Sequence, residues 1–375
     1  MHIGLVASSD IDASFDLANA FISIGMKISL YLPFNNVAQA LNRSKFPQEI
    51  ISRYKLLDPS INIRLIDYPR ARNLRSLTVI QQIYQMMLKD GIEIVHILGG
   101  PGEIWLSILA CIIKKIPVVS TMIIPSPNIG DDMPSMVGRI TNRILCFGSR
   151  EVIVNGKDQE DWVKKIYRVP ADRLTYIPLC PRVTSTKWIQ YRVPQQPETL
   201  LFFGRAALHK GLEYLIKAER LITEKIPNAH FILACHGKDL KRCRSFIQNE
   251  NRYEIYEGFV PGELMAEFYQ RASLVVLPYL TASTSGVLLT AYEFGKPVVA
   301  TKVGSLPEYV KDGKTGILVE PRNENQLAKA IVEIFKDEEK LHQMGRNAQN
   351  WMKELKADVI NQNLNVYQKV ISLLH

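Results

Sequence analysis

Short, unbroken apolar runs recur along the chain, each leaving through a small polar loop into a stretch with helical spacing. The runs His2–Ala7, Lys27–Leu32, Ile61–Ile66, Ile92–Leu98, Val118–Thr121 and Val152–Val154 predict strands. They are continuous rather than alternating, the pattern of a parallel sheet buried on both faces. Between them Phe15–Ile24, Leu74–Lys89, Ile104–Lys114 and Gln159–Ile166 predict helices, giving a βαβ rhythm and a doubly wound α/β domain. Tyr176–Pro178 reads as a last short strand. Pro181, Pro194 and Pro197 then interrupt a stretch with little periodicity, which predicts an interdomain connection over residues 181–197.

The rhythm restarts at Thr199–Gly204. Strands are predicted at Phe231–Ala234, Tyr253–Tyr256, Leu274–Leu277, Val298–Ala300 and Gly316–Val319, with helices at Gly211–Glu224, Lys238–Gln248, Gly262–Gln270 and Gly286–Phe294. Two helices, Glu324–Lys336 and Glu338–Leu355, close this second series. A final amphipathic segment, Asp358–Leu374, is expected to pack back across the boundary. The division is therefore 1–180, 181–197, 198–356 and 357–375. A length of 375 residues agrees with two domains rather than one core.

Composition narrows the class. Hydrophobic residues make up 47% and charged ones 22%, as in a globular protein. The five cysteines (Cys111, Cys146, Cys180, Cys235, Cys243) form no CxxC pair and have no histidine at ligand spacing. This predicts a reducing compartment, with neither a disulfide frame nor structural zinc. The apolar strand begins almost at Met1, so no leader is expected, and the longest apolar run, Ile104–Ile124, is broken by Lys114, Lys115 and Pro117. A cytoplasmic location follows as an expectation. The net charge is +9, with the larger share in residues 1–190. No basic tract is interleaved with aromatics, so nucleic acid is not an expected partner. An anionic small molecule or an anionic membrane surface suits the spread excess better. Arg70, Arg72 and Arg75 are the cluster that would make weak peripheral contact at the inner face of a membrane; a merely solvated basic surface is the alternative.

Two loops carry candidate chemistry. The first follows Thr199–Gly204: Arg205 stands just past the strand, and Lys210-Gly211 open the next helix. Two cations at the mouth of a βα loop can converge on one diphosphate, with helix N–H groups behind them. Such a pair alone describes a solvated rim as readily. The second loop, Pro278–Ser285, is small and hydroxyl-rich and ends in Ser285-Gly286 at a helix start, where backbone N–H groups face an anion. Two anion-ready loops in one sheet tip the reading toward a ligand. The first βα loop of the chain, SSDIDASF, has no glycine, so a nicotinamide fingerprint is absent.

Three segments carry a resemblance. GRAALHKGLEYLIKA, EGFVPGELMAEFYQRASLVVLPYL and SGVLLTAYEFGKPVVATKVGSLPEYVKDGKTGILVEPRN resemble the C-terminal half of family-4 (group 1) retaining glycosyltransferases of the GT-B fold, over about residues 199–350. GKDQEDWVKKIYRVPADRLTYIPL extends a weaker likeness into the first half. The resemblance implies two Rossmann-like domains, with a nucleotide-sugar donor (UDP- or GDP-linked) held mainly by the second and a glycan or lipid-linked acceptor by the first. It assigns Arg205 and Lys210 to the donor diphosphate as the catalytic cations, beside Gly204. It assigns Ser285, Gly286 and Val287 to phosphate contacts, and Glu257, Gly258 and Phe259 to the border of the nucleobase. Neither a metal nor a cofactor is implied.

The chain also departs from that pattern. Where the family carries two glutamates eight positions apart, this sequence has Ala282 and Thr290. The second of these normally meets the ribose. Glu293, one turn on, is a candidate substitute, although a solvated carboxylate would look the same. Ile123 stands where a histidine is frequent, and His96 reads as a satisfied near-core histidine. Glu308 matches the family, as would any helix-start carboxylate. Two readings follow: a divergent transferase acting on a hexose-type sugar, or a non-catalytic GT-B partner or sugar-binding subunit of another glycosyltransferase.

Overall fold

The structure, a computed structural model, describes residues 1–8, 10–41, 44–68, 75–99, 104–123 and 136–373. They fall into two units, the first holding residues up to Cys180 and from Leu355 onward, the second Pro181–Glu354.

Seven parallel strands build the first unit: β1 (His2–Ala7), β2 (Lys27–Pro33), β3 (Asn62–Ile66), β4 (Ile94–Gly99), β5 (Val118–Met122), β6 (Glu151–Val154) and β7 (Leu174–Tyr176). Their order is β3-β2-β1-β4-β5-β6-β7. β1, β4, β5 and β6 are buried almost throughout, which is why their sequences run apolar without alternation. The last strand lies slightly earlier than predicted, pairing Leu174 with Val152. Pro178 has no N–H to give to a ladder, so the strand ends before it.

The second unit has six parallel strands: β8 (Thr199–Arg205), β9 (His230–His236), β10 (Tyr253–Glu257), β11 (Leu274–Leu277), β12 (Val298–Thr301) and β13 (Gly316–Val319). The order is β10-β9-β8-β11-β12-β13. Leu200, Phe202, Leu233, Val276 and Val299 from the sheet pack with Leu212, Leu215, Ile216 and Ile331 from the helices, each almost fully buried. Each such side chain contributes about 1.5–3 kcal/mol. The chain thus has the GT-B fold, two Rossmann-like parallel-sheet α/β domains.

Other stretches differ from the sequence expectation, among them the helices Phe34–Ala40 and Pro47–Arg53, which it lacks. The connection at 181–197 counts with the second unit: Trp188, in a 3-10 turn over Val183–Trp188, is buried and packs its ring directly on Gly262. The C-terminal segment is not a separate helix, because Glu338–Ser372 is one continuous helix of 35 residues. Nothing in Leu355-Lys356-Ala357-Asp358 breaks it, all four being helix-compatible. A helix over Met136–Gly148, absent from the sequence expectation, precedes β6. Of the predicted basic cluster, Arg75 opens the Arg75–Lys89 helix and is exposed, while Arg70 and Arg72 lie outside the described residues.

His96 is 1% exposed on β4. Its Nδ1 lies 2.6 Å from the Tyr367 hydroxyl and its Nε2 2.7 Å from the Thr121 hydroxyl. Burial lowers its pKa to about 3, so the ring is neutral and structural. Lys369 donates to the buried Glu151 carboxylate and to the Asp172 carbonyl, both at 2.8 Å, holding the last turns of the long helix on the first unit.

Candidate active site

In an open parallel sheet a crevice opens beyond the carboxyl ends of the strands where the strand order reverses. In the second unit that point lies between β8 and β11. The loops leaving these two strands are the ones that hold Arg205, Lys210 and Ser285. Their positions follow from topology, since all six strands are parallel and all their following loops emerge at one edge.

The two loops are locked together by backbone. Leu280 donates its N–H to the His209 carbonyl at 2.7 Å. Gly211 takes a φ of 63°, and a Cβ there would lie 1.9 Å from the Pro278 carbonyl oxygen. Only glycine satisfies both the left-handed backbone and the close approach. The same device recurs after β12, where Gly304 (φ 50°) would set a Cβ 1.6 Å from the Ala282 carbonyl oxygen. Ser305 donates its hydroxyl to the Ser283 carbonyl, and Thr301 donates to the Tyr279 carbonyl at 2.6 Å. The β11 loop is therefore held from both sides.

Lys210 ends a 3-10 turn over Leu208–Lys210, and its Nζ sits over the Tyr279 ring, 3.7 Å from the centroid. Among the described residues it makes no ion pair. A cation against a ring face keeps its charge available to an anion while its position is fixed, a contact of about 0.5–2 kcal/mol. The Tyr279 hydroxyl lies 3.4 Å from the Ser285 hydroxyl. Ser285 caps the Gly286–Glu293 helix, accepting from the Leu288 N–H at 3.3 Å. That leaves the N–H groups of Gly286 and Val287 without a partner among the described residues, aimed out of the helix start.

A third cation stands beside them. Arg182, in the stretch read as a connection, is buried and lies so near Gly286 that a Cβ there would be 3.2 Å from its guanidinium. Sequence reasoning missed it because its neighbours carry no periodicity or glycine pattern. Tyr279 was also missed; its one signal is an aromatic directly after an apolar strand and a proline.

The remaining candidates spread along the same edge and beyond it. Gly204 and Arg205 end β8, with Arg205 exposed. Glu257 ends β10, the edge strand, and its carboxylate is 3.4 Å from Arg244. Gly258 donates to the Cys235 carbonyl at 3.3 Å, and Phe259 is 40% exposed. Thr290 is buried one turn into the helix that Ser285 caps. Glu293 is its last residue, about 10 Å along the axis from Gly286 at the ordinary helical rise, with its carbonyl accepting from Gln349. The structure thus links Lys210 through Tyr279 to Ser285, sets Gly204 so near Val287 that a Cβ on Gly204 would lie 3.6 Å from the valine side chain, leaves Arg205 at the adjoining strand end, and sets Glu293 at the far end.

Comparison with known proteins bears on the fold and on the second unit's sequence. Residues 186–351 match the family described as glycosyl transferases group 1. A D-inositol 3-phosphate glycosyltransferase of Corynebacterium glutamicum (strain R) is 26% identical over 237 residues, 58% of this chain and 56% of that protein. The chain spans about half the length of the curated relatives it matches. Among solved structures, sucrose-phosphate synthase from Thermosynechococcus elongatus superposes with a TM-score of 0.71 at 18% identity, covering 100% of both chains. The Anabaena protein HepE in complex with UDP gives 0.68 at 17% identity, covering 99% of this chain and 100% of its own. The structural likenesses show the fold, and the family match covers residues 186–351.

Proposed function

We propose that the protein is a glycosyltransferase that moves a hexose-type sugar from a UDP- or GDP-linked donor to a glycan or lipid-linked acceptor. The observation that carries this is the pairing of two loops at the β8/β11 reversal, with Lys210 and Arg205 on one and the Ser285-capped helix start on the other. Breaking the bond from the anomeric carbon to the diphosphate oxygen builds negative charge on the departing group. Fixed cations and N–H dipoles stabilise that charge without reorganising. Under a retaining course the departing phosphate oxygen takes the acceptor's hydroxyl proton while the acceptor oxygen bonds to the same face of the sugar. Charge stabilisation is supplied by the chain itself, so the proposal includes neither a metal nor a cofactor. Weak peripheral contact with an anionic membrane belongs to the same reading, at the inner face of the cell membrane.

Ala282 and Thr290, standing where family members carry glutamates, favour a second reading, a non-catalytic sugar-binding partner of another glycosyltransferase. A panel of UDP-, GDP- and ADP-sugars separates the two. The transferase reading expects a rise in melting temperature with one nucleotide class, together with donor hydrolysis or transfer. Neither binding nor turnover across the panel, with copurification of a second glycosyltransferase, would establish the alternative.

A further inference from the structure

The Met136–Gly148 helix packs the wrong way round for an ordinary surface helix. Its small and polar residues face inward: Gly138, Thr141 and Asn142 are buried together with Leu145 and Cys146. The Ser107 hydroxyl donates to the Thr141 carbonyl at 2.6 Å, and the Asn142 amide donates to the Tyr167 hydroxyl at 3.1 Å. Its large apolar residues face out. Met136 is 72% exposed, Val137 61%, Ile140 48%, Ile144 39% and Phe147 82%. Positions 137, 140, 144 and 147 share one helical face, so these exposures form a stripe and not a scatter. Contiguous apolar surface of this kind marks an interaction site.

The charge on that face has one sign. Arg139 and Arg143 are exposed beside the stripe, and the helix contains no acidic residue. At the Phe147 end opens a cleft of about 560 Å³ lined by Lys114, Lys115 and Arg150, all exposed, with Asp172 the one acidic residue on its wall. None of these five cations makes an ion pair with a described residue. Arg173, also in the cleft, spends its guanidinium on the carbonyls of Cys146, Ser149 and Arg150.

We infer that this face docks the first unit on an anionic lipid bilayer. The inference locates the membrane contact of the proposed function and rests on that part of it. Apolar side chains with arginines interspersed match the layering of a membrane surface, where alkyl and aromatic groups enter the acyl boundary and guanidinium heads rise to the phosphates. The cleft beyond Phe147 sets three further cations at the same end, where lipid phosphates would gather.

The test is flotation of the full chain with phosphatidylcholine vesicles, with and without phosphatidylglycerol, at low and high salt. The chain should float with the anionic vesicles alone and be released by salt. Arg139→Gln with Arg143→Gln, and separately Ile140→Ser with Phe147→Ser, should each weaken that binding about tenfold or more. All four sites are exposed, so melting curves should match the parent chain. Failure to float with anionic vesicles at low salt, or equal flotation of both double variants, overturns the inference. So does self-association of the parent chain that Phe147→Ser abolishes without any vesicle binding, which would make the stripe a protein interface. Nucleoside diphosphate binding by the same preparations reports on the second unit, so failure of either reading is told from failure of the other.

Discussion

The ammonium of Lys210 lies 3.7 Å from the centre of the Tyr279 ring, and the two residues belong to different loops of the same sheet. Tyr279 therefore positions the cation rather than contacting an anion itself. Tyr279→Leu should weaken nucleoside diphosphate binding by about 0.5–2 kcal/mol, while Tyr279→Phe, which keeps the ring, should cost far less. Equal losses in the two variants would mean that the hydroxyl, 3.4 Å from Ser285, matters more than the ring.

Gly211 joins those loops by an approach that admits no side chain. Gly211→Ala should lower stability by more than about 1 kcal/mol, because alanine meets both a left-handed backbone and the Pro278 carbonyl. Thermal unfolding checks this; a melting temperature equal to the parent's would show that the loops are not coupled in this way.

His96 makes stability depend on pH. In the unfolded chain the imidazole takes up a proton near 6.5, and in the folded chain only near about 3. Between those values the unfolded state binds more protons, so stability rises with pH and is lost as pH falls from about 6.5 toward about 3. The slope from this residue approaches about 1.4 kcal/mol per pH unit. Urea unfolding across that window should show it, and His96→Gln should flatten the dependence. An unaltered slope in the variant would assign the acid sensitivity elsewhere.

Thr290 sits one turn into the Ser285-capped helix, at the position where the sequence resemblance implies a glutamate. Thr290→Glu should tighten nucleotide binding by about 1 kcal/mol, the gain of a charged over a neutral acceptor for ribose hydroxyls. The position is only 8% exposed, so the variant also reports whether the carboxylate reaches the crevice. Weaker binding in a folded variant would contradict the ribose assignment.

Much of the fold is legible because both sheets are parallel and covered on both faces. β1, β11 and β13 begin and end where their apolar runs do, β1 and β11 being buried almost throughout. The Met136–Gly148 helix is missing from the expectation although Val137, Ile140, Ile144 and Phe147 recur at helical spacing; Gly138, Thr141 and Asn142 lower its propensity and blur the pattern. The long C-terminal helix keeps one buried face at three- to four-residue spacing, from Leu341 through Met352, Leu355 and Val359 to Val370, so the division expected near Leu355 has no counterpart in the backbone. In the site, Arg205, Lys210 and Ser285 announce themselves by standing where strands give way to helix starts. Arg182 reaches Gly286 through tertiary packing, and no local pattern marks it.

A donor diphosphate gripped between the β8 and β11 loops of the second unit would draw affinity from both Arg205 and Lys210. Isothermal titration calorimetry with UDP and GDP on the parent chain, Arg205→Ala and Lys210→Ala tests it most directly. Saturable binding of one nucleotide is expected, weakened by about 1.5–3 kcal/mol in each variant as one charge-assisted contact is lost. Binding of undiminished affinity in both variants would contradict it.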